Sequence, residues 1–187
     1  VMDAANVDLK SFDDAFYRRY CGGRLAPVLE TLEHIRRQTG TWLEITPLLI
    51  PGLNDSPGEI GALADWVAGH LGPDTPLHFS AFHPAFRLTD RPSTPAATLA
   101  EARRLALARG LRFVYTGNVD DPEGQATRCP GCGAVLVGRD WYRLTAWGLD
   151  ERGCCQTCGT ACPGVFDPAP EGWGPRRRAD GGRRVGE

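Results

Sequence analysis

Lysine is almost missing from this chain. Of 21 Lys and Arg residues only Lys10 is a lysine. Methionine occurs once, and no apolar run approaches ~20 residues, so no stretch reads as a membrane-spanning helix. None reads as a signal peptide either, and the expected location is the cytoplasm. An excess of one charge is also missing. With 23 Asp and Glu the formal net charge is -2, which gives no general signal for nucleic acid or a membrane surface. The seven cysteines are too few and too clustered for a secreted disulfide scaffold, since six lie between Cys129 and Cys162. Cys21 stands alone and is expected to be a buried or half-buried thiol. At 187 residues the chain allows one or two domains. It opens on Val1 directly into strand-like sequence and is read as the C-terminal part of a longer protein.

The lone lysine sits in Ala5-Asn6-Val7-Asp8-Leu9-Lys10. As a strand this stretch puts Asn6, Asp8 and Lys10 on one face and Ala5, Val7 and Leu9 on the other. An acid and an amine on one strand face suit an enclosed polar lumen that holds a ligand. A surface ion pair is the plainer alternative. In a chain that otherwise uses arginine, one lysine marks a place where a compact point charge matters.

Strands and helices then alternate. A turn at Ser11-Phe12-Asp13-Asp14 starts a helix. Leu25, Val28, Leu29, Leu32 and Ile35 give the apolar stripe of the next, which Gly40 stops. Residues 41–50 read as one strand, with Trp42, Glu44, Thr46 and Leu48 on a partly polar face. After the Pro51-Gly52-Leu53-Asn54-Asp55 loop, Ser56, Pro57 and Glu59 form a capping box. Strand 76–82, a Thr94-Pro95 cap with its helix, and strand 111–116 complete the series. Four strands alternating with helices predict a parallel sheet of βα units. Binding residues in such folds lie at the C-terminal ends of strands. That places Asp8, Lys10, the Pro51-Gly52 loop, His83 and Gly117-Asn118 around one mouth. His34 and His70 fall on helices and are expected at the surface. His78 and His83 are an odd number of residues apart, on opposite faces of an uninterrupted strand.

The character changes near residue 127. Cys129-Pro130-Gly131-Cys132-Gly133 and Cys155-Gln156-Thr157-Cys158-Gly159 are two knuckles with 22 residues between them. Four thiolates so arranged suit a closed tetrahedral site, most simply zinc, with iron as the alternative and a redox dithiol pair as the bland reading. Cys154 and Cys162 are surplus. Residues 167–187, rich in Pro, Gly and Arg without apolar periodicity, are expected to be disordered.

Asp8-Leu9-Lys10, the Leu48-Leu49-Ile50-Pro51-Gly52-x-Asn54-Asp55 stretch and Phe82-His83-Pro84 resemble the second half of a radical SAM enzyme, close to the pyruvate formate-lyase activating enzyme group. His78-Phe79-Ser80-x-Phe82-His83-Pro84, Val114-Tyr115-x-Gly117-Asn118-Val119 and the trailing cysteine module are similar to AmmeMemoRadiSam-system radical SAM proteins. The resemblance covers about residues 2–166. It implies an α/β fold, the second half of a (β/α)6 partial TIM barrel (residues 1–126), followed by a small zinc-ribbon-like module (127–166). It further implies S-adenosylmethionine as cofactor, with Asp8 and Lys10 at its methionine and ribose end and His83 near the nucleoside. A [4Fe-4S] cluster would sit on a Cys-x3-Cys-x2-Cys loop, a motif this chain lacks; Cys155, Cys158 and Cys162 have the spacings in reverse order. No catalytic residue is assigned, and the chain is expected to be inactive alone. The substrate is open and a protein substrate is among the options.

Two other readings stand beside this one. The first is a zinc-ribbon binding module on an α/β base that contacts protein or nucleic acid. The second is a self-contained non-radical enzyme, which would need a phosphate-cradling glycine loop or a nucleophile with its base; the sequence shows neither.

Overall fold

A computed structural model describes residues 2–166. The expectation of disorder for 167–187 lies outside the described residues. Five strands form one parallel sheet: β1 (Ala4–Val7), β2 (Trp42–Ile45), β3 (Leu48–Leu49), β4 (Leu77–Ala81) and β5 (Val114–Gly117). β1 pairs with β2, β2 and β3 both pair with β4, and β5 pairs with the other side of β4. The first strand is shorter than its sequence pattern, ending at Val7. The second is not continuous: β2 and β3 are two pieces of it, separated at Pro47, whose ring nitrogen has no hydrogen to give a ladder. Its flanking groups carry the sheet through the break. Thr46 donates its backbone N–H to Val7 at 2.9 Å, and the Pro47 carbonyl accepts from Ser80 at 3.0 Å.

The helices are α1 (Asp14–Phe16), α2 (Leu25–Gln38), α3 (Pro57–Trp66), α4 (Ala96–Ala108) and α5 (Pro122–Gln125). α1 and α3 each run on into a π-helical turn, Tyr17–Cys21 and Val67–Leu71. Cys21, at the end of the first such turn, is exposed rather than buried, because the chain leaves the core there through Gly22. Two caps differ from expectation. Ser56 accepts from the Glu59 N–H, but the Glu59 carboxylate does not close the box; it reaches instead to the Ser11 hydroxyl and the Phe12 N–H. Thr94 does not cap α4 either. Its hydroxyl donates to the Leu49 carbonyl at 2.6 Å and accepts from the Phe82 N–H at 3.0 Å. Both side chains tie separate elements together, where a buried polar group gains more than at an exposed helix end.

Burial alternates along every strand of the sheet. Leu43, Ile45, Leu49, Leu77, Phe79 and Val114 join Leu32, Ile60, Leu63 and Leu99 from the helices in one core. The opposite face carries Asn6, Glu44, Thr46, His78, Ser80 and Tyr115, all half-buried or exposed. Parallel sheets covered on both faces are apolar on both. This one has helices on one face, and its opposite, inner face is polar.

After α5 a three-stranded antiparallel sheet follows: β6 (Thr127–Arg128), β7 (Val135–Asp140) and β8 (Arg143–Trp147). Its core joins Cys129, Leu136, Val137, Leu149, Cys155 and Cys162 to Phe113, with Tyr115 packed alongside. Phe113 just before β5 and Tyr115 within it share the inner side, so this ribbon packs against the inner face of the large sheet. Among the described residues no helix is long and apolar enough to cross a membrane.

Candidate functional site

Leu9 is fully buried just beyond β1, and it pins the chain so that Asp8 and Lys10 project together on the other side. Lys10 Nζ lies 2.6 Å from Asp8 Oδ2, both side chains about half-exposed. The backbone of Lys10 is held from two directions. Its N–H donates to the Tyr17 hydroxyl at 3.0 Å, and its carbonyl accepts from Asn54 Nδ2 at 2.7 Å. Asn54 is buried and spends its whole amide here: Nδ2 also donates to the Leu48 carbonyl at 2.9 Å, and Oδ1 accepts from the Ile50 N–H at 2.7 Å. The loop after β3 is thereby fastened to the end of β1. Asp55 accepts from the Gly52 N–H at 2.8 Å, closing the turn around a glycine with φ of 72°. Tyr17 was not singled out from sequence. It lies on an unremarkable helix start, and nothing local marks its hydroxyl as a partner of residue 10.

The structure brings Asp8 and Lys10 together. His83 follows β4 at the same end of the sheet and is exposed, with Nδ1 3.2 Å from Ser93 Oγ. Among the described residues no hydrogen bond or ion pair joins it to Asp8 or Lys10. Asn118 takes a left-handed backbone (φ 60°) and donates to the Ala81 carbonyl at 3.3 Å.

A second polar group on the inner face joins residues that the sequence names separately and does not bring together. Glu44, His78 and Tyr115 come from β2, β4 and β5. His78 Nε2 is buried 2.9 Å from Glu44 Oε2. Trp42 Nε1 donates to the other Glu44 oxygen at 3.2 Å. The contact with His78 holds the Glu44 carboxyl below its ordinary range in spite of burial. The His78 ring stacks on Tyr115 at 4.8 Å, and the guanidinium of Arg139 of β7 lies over the Tyr115 ring, 5.7 Å from its centre. Burial raises the Tyr115 phenol. The available signal was the alternation itself, which puts Glu44 and His78 on the partly polar face.

The ribbon brings all four knuckle cysteines together. The Sγ atoms of Cys129, Cys132, Cys155 and Cys158 lie within 4.8 Å of one another, with Cys129 3.6 Å from Cys158 and Cys132 3.8 Å from Cys155. A metal–sulfur bond of ~2.3 Å in tetrahedral geometry requires an S···S edge of ~3.8 Å, so the set fits one metal ion. The two knuckles share one backbone pattern. Gly133 donates to Cys129 O at 2.9 Å and Cys129 to Ala134 O at 2.8 Å; Gly159 donates to Cys155 O and Cys155 to Thr160 O, both at 2.8 Å. Gly133 and Gly159 have φ of 75° and 74°, which the turn after each second cysteine demands. The Thr160 hydroxyl and amide draw Cys158 down to about 6. Cys162 packs beside the cluster in apolar surroundings that push its thiol up to about 11, an environment for a packed thiol rather than a ligand.

No family model matches the chain. It is 44% identical over 159 residues to an uncharacterized protein of Methanocaldococcus jannaschii, covering 84% of this chain and 47% of that protein. It is 27% identical over 138 residues to the benzylsuccinate synthase activating enzyme of Thauera aromatica, covering 67% of this chain and 41% of that enzyme. The chain thus spans less than half the length of these curated relatives. Among solved structures, a domain of pyruvate-formate lyase-activating enzyme from Bacteroides vulgatus superposes with a TM-score of 0.54 at 17% identity, over 62% of this chain and 68% of that one. A mixed α/β architecture with a parallel sheet, similar in fold to that activating-enzyme domain and followed by a four-cysteine cluster, is therefore the fold of this chain.

Proposed function

We propose that the chain is the cofactor-holding C-terminal portion of a radical S-adenosylmethionine enzyme of the AmmeMemoRadiSam-system type. The observation that carries this reading is the Asp8–Lys10 pair, set at a strand end of an activating-enzyme-like fold, with the Lys10 backbone clamped by Tyr17 and Asn54. An ammonium beside a carboxylate complements a zwitterionic amino-acid end: Lys10 takes the carboxylate, and Asp8 takes the ammonium or ribose hydroxyls. In this structure the two satisfy each other, and the cofactor's charges would replace that pairing without stranding either group. His83, exposed at the same end of the sheet, is available to the nucleoside.

When bound together, a [4Fe-4S] cluster and S-adenosylmethionine supply a 5′-deoxyadenosyl radical that abstracts hydrogen from a substrate. The chain contains no Cys-x3-Cys-x2-Cys run, so cluster ligands must come from elsewhere and the chain alone is inactive. Residues 1–126 hold the cofactor. Residues 127–166 form a module with zinc on Cys129, Cys132, Cys155 and Cys158 as its structural centre.

The test is calorimetric titration of S-adenosylmethionine against a protein that joins this chain to the cluster-bearing portion, with Lys10→Ala and Asp8→Asn beside it. Loss of affinity in both variants with unchanged melting supports the reading. Wild-type affinity in both overturns it.

A further inference from the structure

The inner face of the large sheet and the β7–β8 hairpin line an open cavity of about 400 Å³. Its walls include Glu44, His78 and Tyr115 from the sheet, and Arg139, Trp141 and Tyr142 from the hairpin. This volume lies in the range of small-molecule sites. The polar groups converge there from different strands. Arg139 is oriented by bonds from one guanidinium nitrogen, Nη1, to Gln125 O at 3.0 Å and Thr127 Oγ1 at 2.9 Å. Among the described residues no carboxylate pairs with it.

The hairpin tip is unusual. Trp141 is 57% exposed and Tyr142 77% exposed, two large aromatic rings at the rim of a polar cavity. Trp141 also has a φ of 52°, where turns ordinarily use glycine, asparagine or aspartate. A bulky side chain held in that conformation costs stability, and such outliers concentrate at binding sites.

We propose that this cavity binds a small aromatic carboxylate, its ring against Trp141 and Tyr142 and its carboxylate on the Arg139 fork. Guanidinium recognises carboxylate through two parallel hydrogen bonds. The ionised Glu44 at the inner wall disfavours a dianion such as a phosphate ester, and the Glu44–His78 pair gives that wall a proton donor and acceptor. The assignment of this ligand as substrate rests on the proposed function, a radical S-adenosylmethionine enzyme.

The experiment is titration of the full 187-residue chain with benzoate, followed by calorimetry and by heteronuclear NMR. Acetate, which lacks the ring, and benzyl alcohol, which lacks the carboxylate, are the comparison probes. Benzoate should bind at least ~10-fold more tightly than either, since it alone reaches both halves of the site. Arg139→Gln should weaken it by ~10-fold or more, and Arg139→Lys, which keeps the charge but not the fork, by less. Trp141→Ala and Trp141→Gly should weaken it equally, by a few-fold. Trp141→Gly should do so without lowering the melting temperature, because relief of the left-handed backbone offsets the freedom of glycine in the unfolded chain. Absence of benzoate binding by the folded chain, equal binding of acetate or benzyl alcohol, or indifference to all of these variants overturns the proposal. So does competition by S-adenosylmethionine that is sensitive to Arg139→Gln and not to Lys10→Ala, which would give the cavity to the cofactor. Conversely, benzoate binding as described together with no S-adenosylmethionine binding in the joined protein would overturn the cofactor reading and leave the carboxylate site standing.

Discussion

Asn54 donates its side-chain amide to the carbonyl oxygen of Lys10 at 2.7 Å, joining residues 44 positions apart. The same amide bonds Leu48 and Ile50, so one buried side chain sets the position of both the loop after β3 and the backbone of Lys10. Asn54→Ala leaves two carbonyls and one N–H without partners and should destabilise the fold by about 3 kcal/mol. Asn54→Asp should be at least as damaging, because it turns a carboxylate toward two carbonyl oxygens. Chemical denaturation checks both. A loss below about 1 kcal/mol for either would show that the loop holds its place without this residue.

Lys10→Ala in the joined protein should weaken S-adenosylmethionine by ~30- to 150-fold, the worth of a charge-assisted hydrogen bond of about 2–3 kcal/mol. Its stability should change by no more than about 1 kcal/mol, as the half-exposed pair with Asp8 contributes little. Lys10→Arg should also fail to bind, since the broader guanidinium does not reproduce a point charge. Titration and thermal melts distinguish this from a surface ion pair, which predicts no change in affinity.

The purified chain should carry about one zinc per molecule. Cys129→Ser should lose the metal and the order of residues 127–166, and leave the parallel sheet largely folded. Cys162→Ala should retain the metal and lose only packing, because that buried thiol stands outside the four-sulfur set. Metal analysis with circular dichroism reads both. Full metal content in Cys129→Ser, or its loss in Cys162→Ala, would reassign the ligands.

The contact with His78 lowers the Glu44 pKa below its ordinary 4.5. A carboxyl whose folded value is depressed contributes stability that is fully present above its unfolded value and lost as pH falls through the folded value. The melting temperatures of wild type and Glu44→Gln should therefore differ most above pH 4.5 and converge on further acidification. A gap that widens toward low pH would contradict this role of the Glu44–His78 contact.

After iron–sulfur reconstitution and reduction, the isolated chain should form no 5′-deoxyadenosine from S-adenosylmethionine. Product detected by chromatography from this chain alone would mean that its trailing cysteines hold a competent cluster.

Much of this protein is legible along the chain, because its signals are local. The two Cys-x-x-Cys-Gly knuckles announce their turns through a glycine that must take positive φ. The alternation of apolar residues in 42–49 and 77–81 marks which side of each strand meets the helices, and apolar transfer is enough to decide that side. Asp8 and Lys10 share a face because side chains alternate along extended backbone. Other features depend on the tertiary structure. Glu59 and Thr94 carry cap patterns, yet each bonds a distant element, since packing offers a buried partner worth more than an exposed helix end. Glu44, His78 and Tyr115 stand on three strands and Arg139 on a fourth. Only strand order, register and the docking of the ribbon on the inner face bring them around one cavity. Asn54 and Tyr17 clamp Lys10 for the same reason: the choice among many possible hydrogen-bond partners is made by which groups are buried together, and that is a property of the assembled sheet and helices rather than of any one segment.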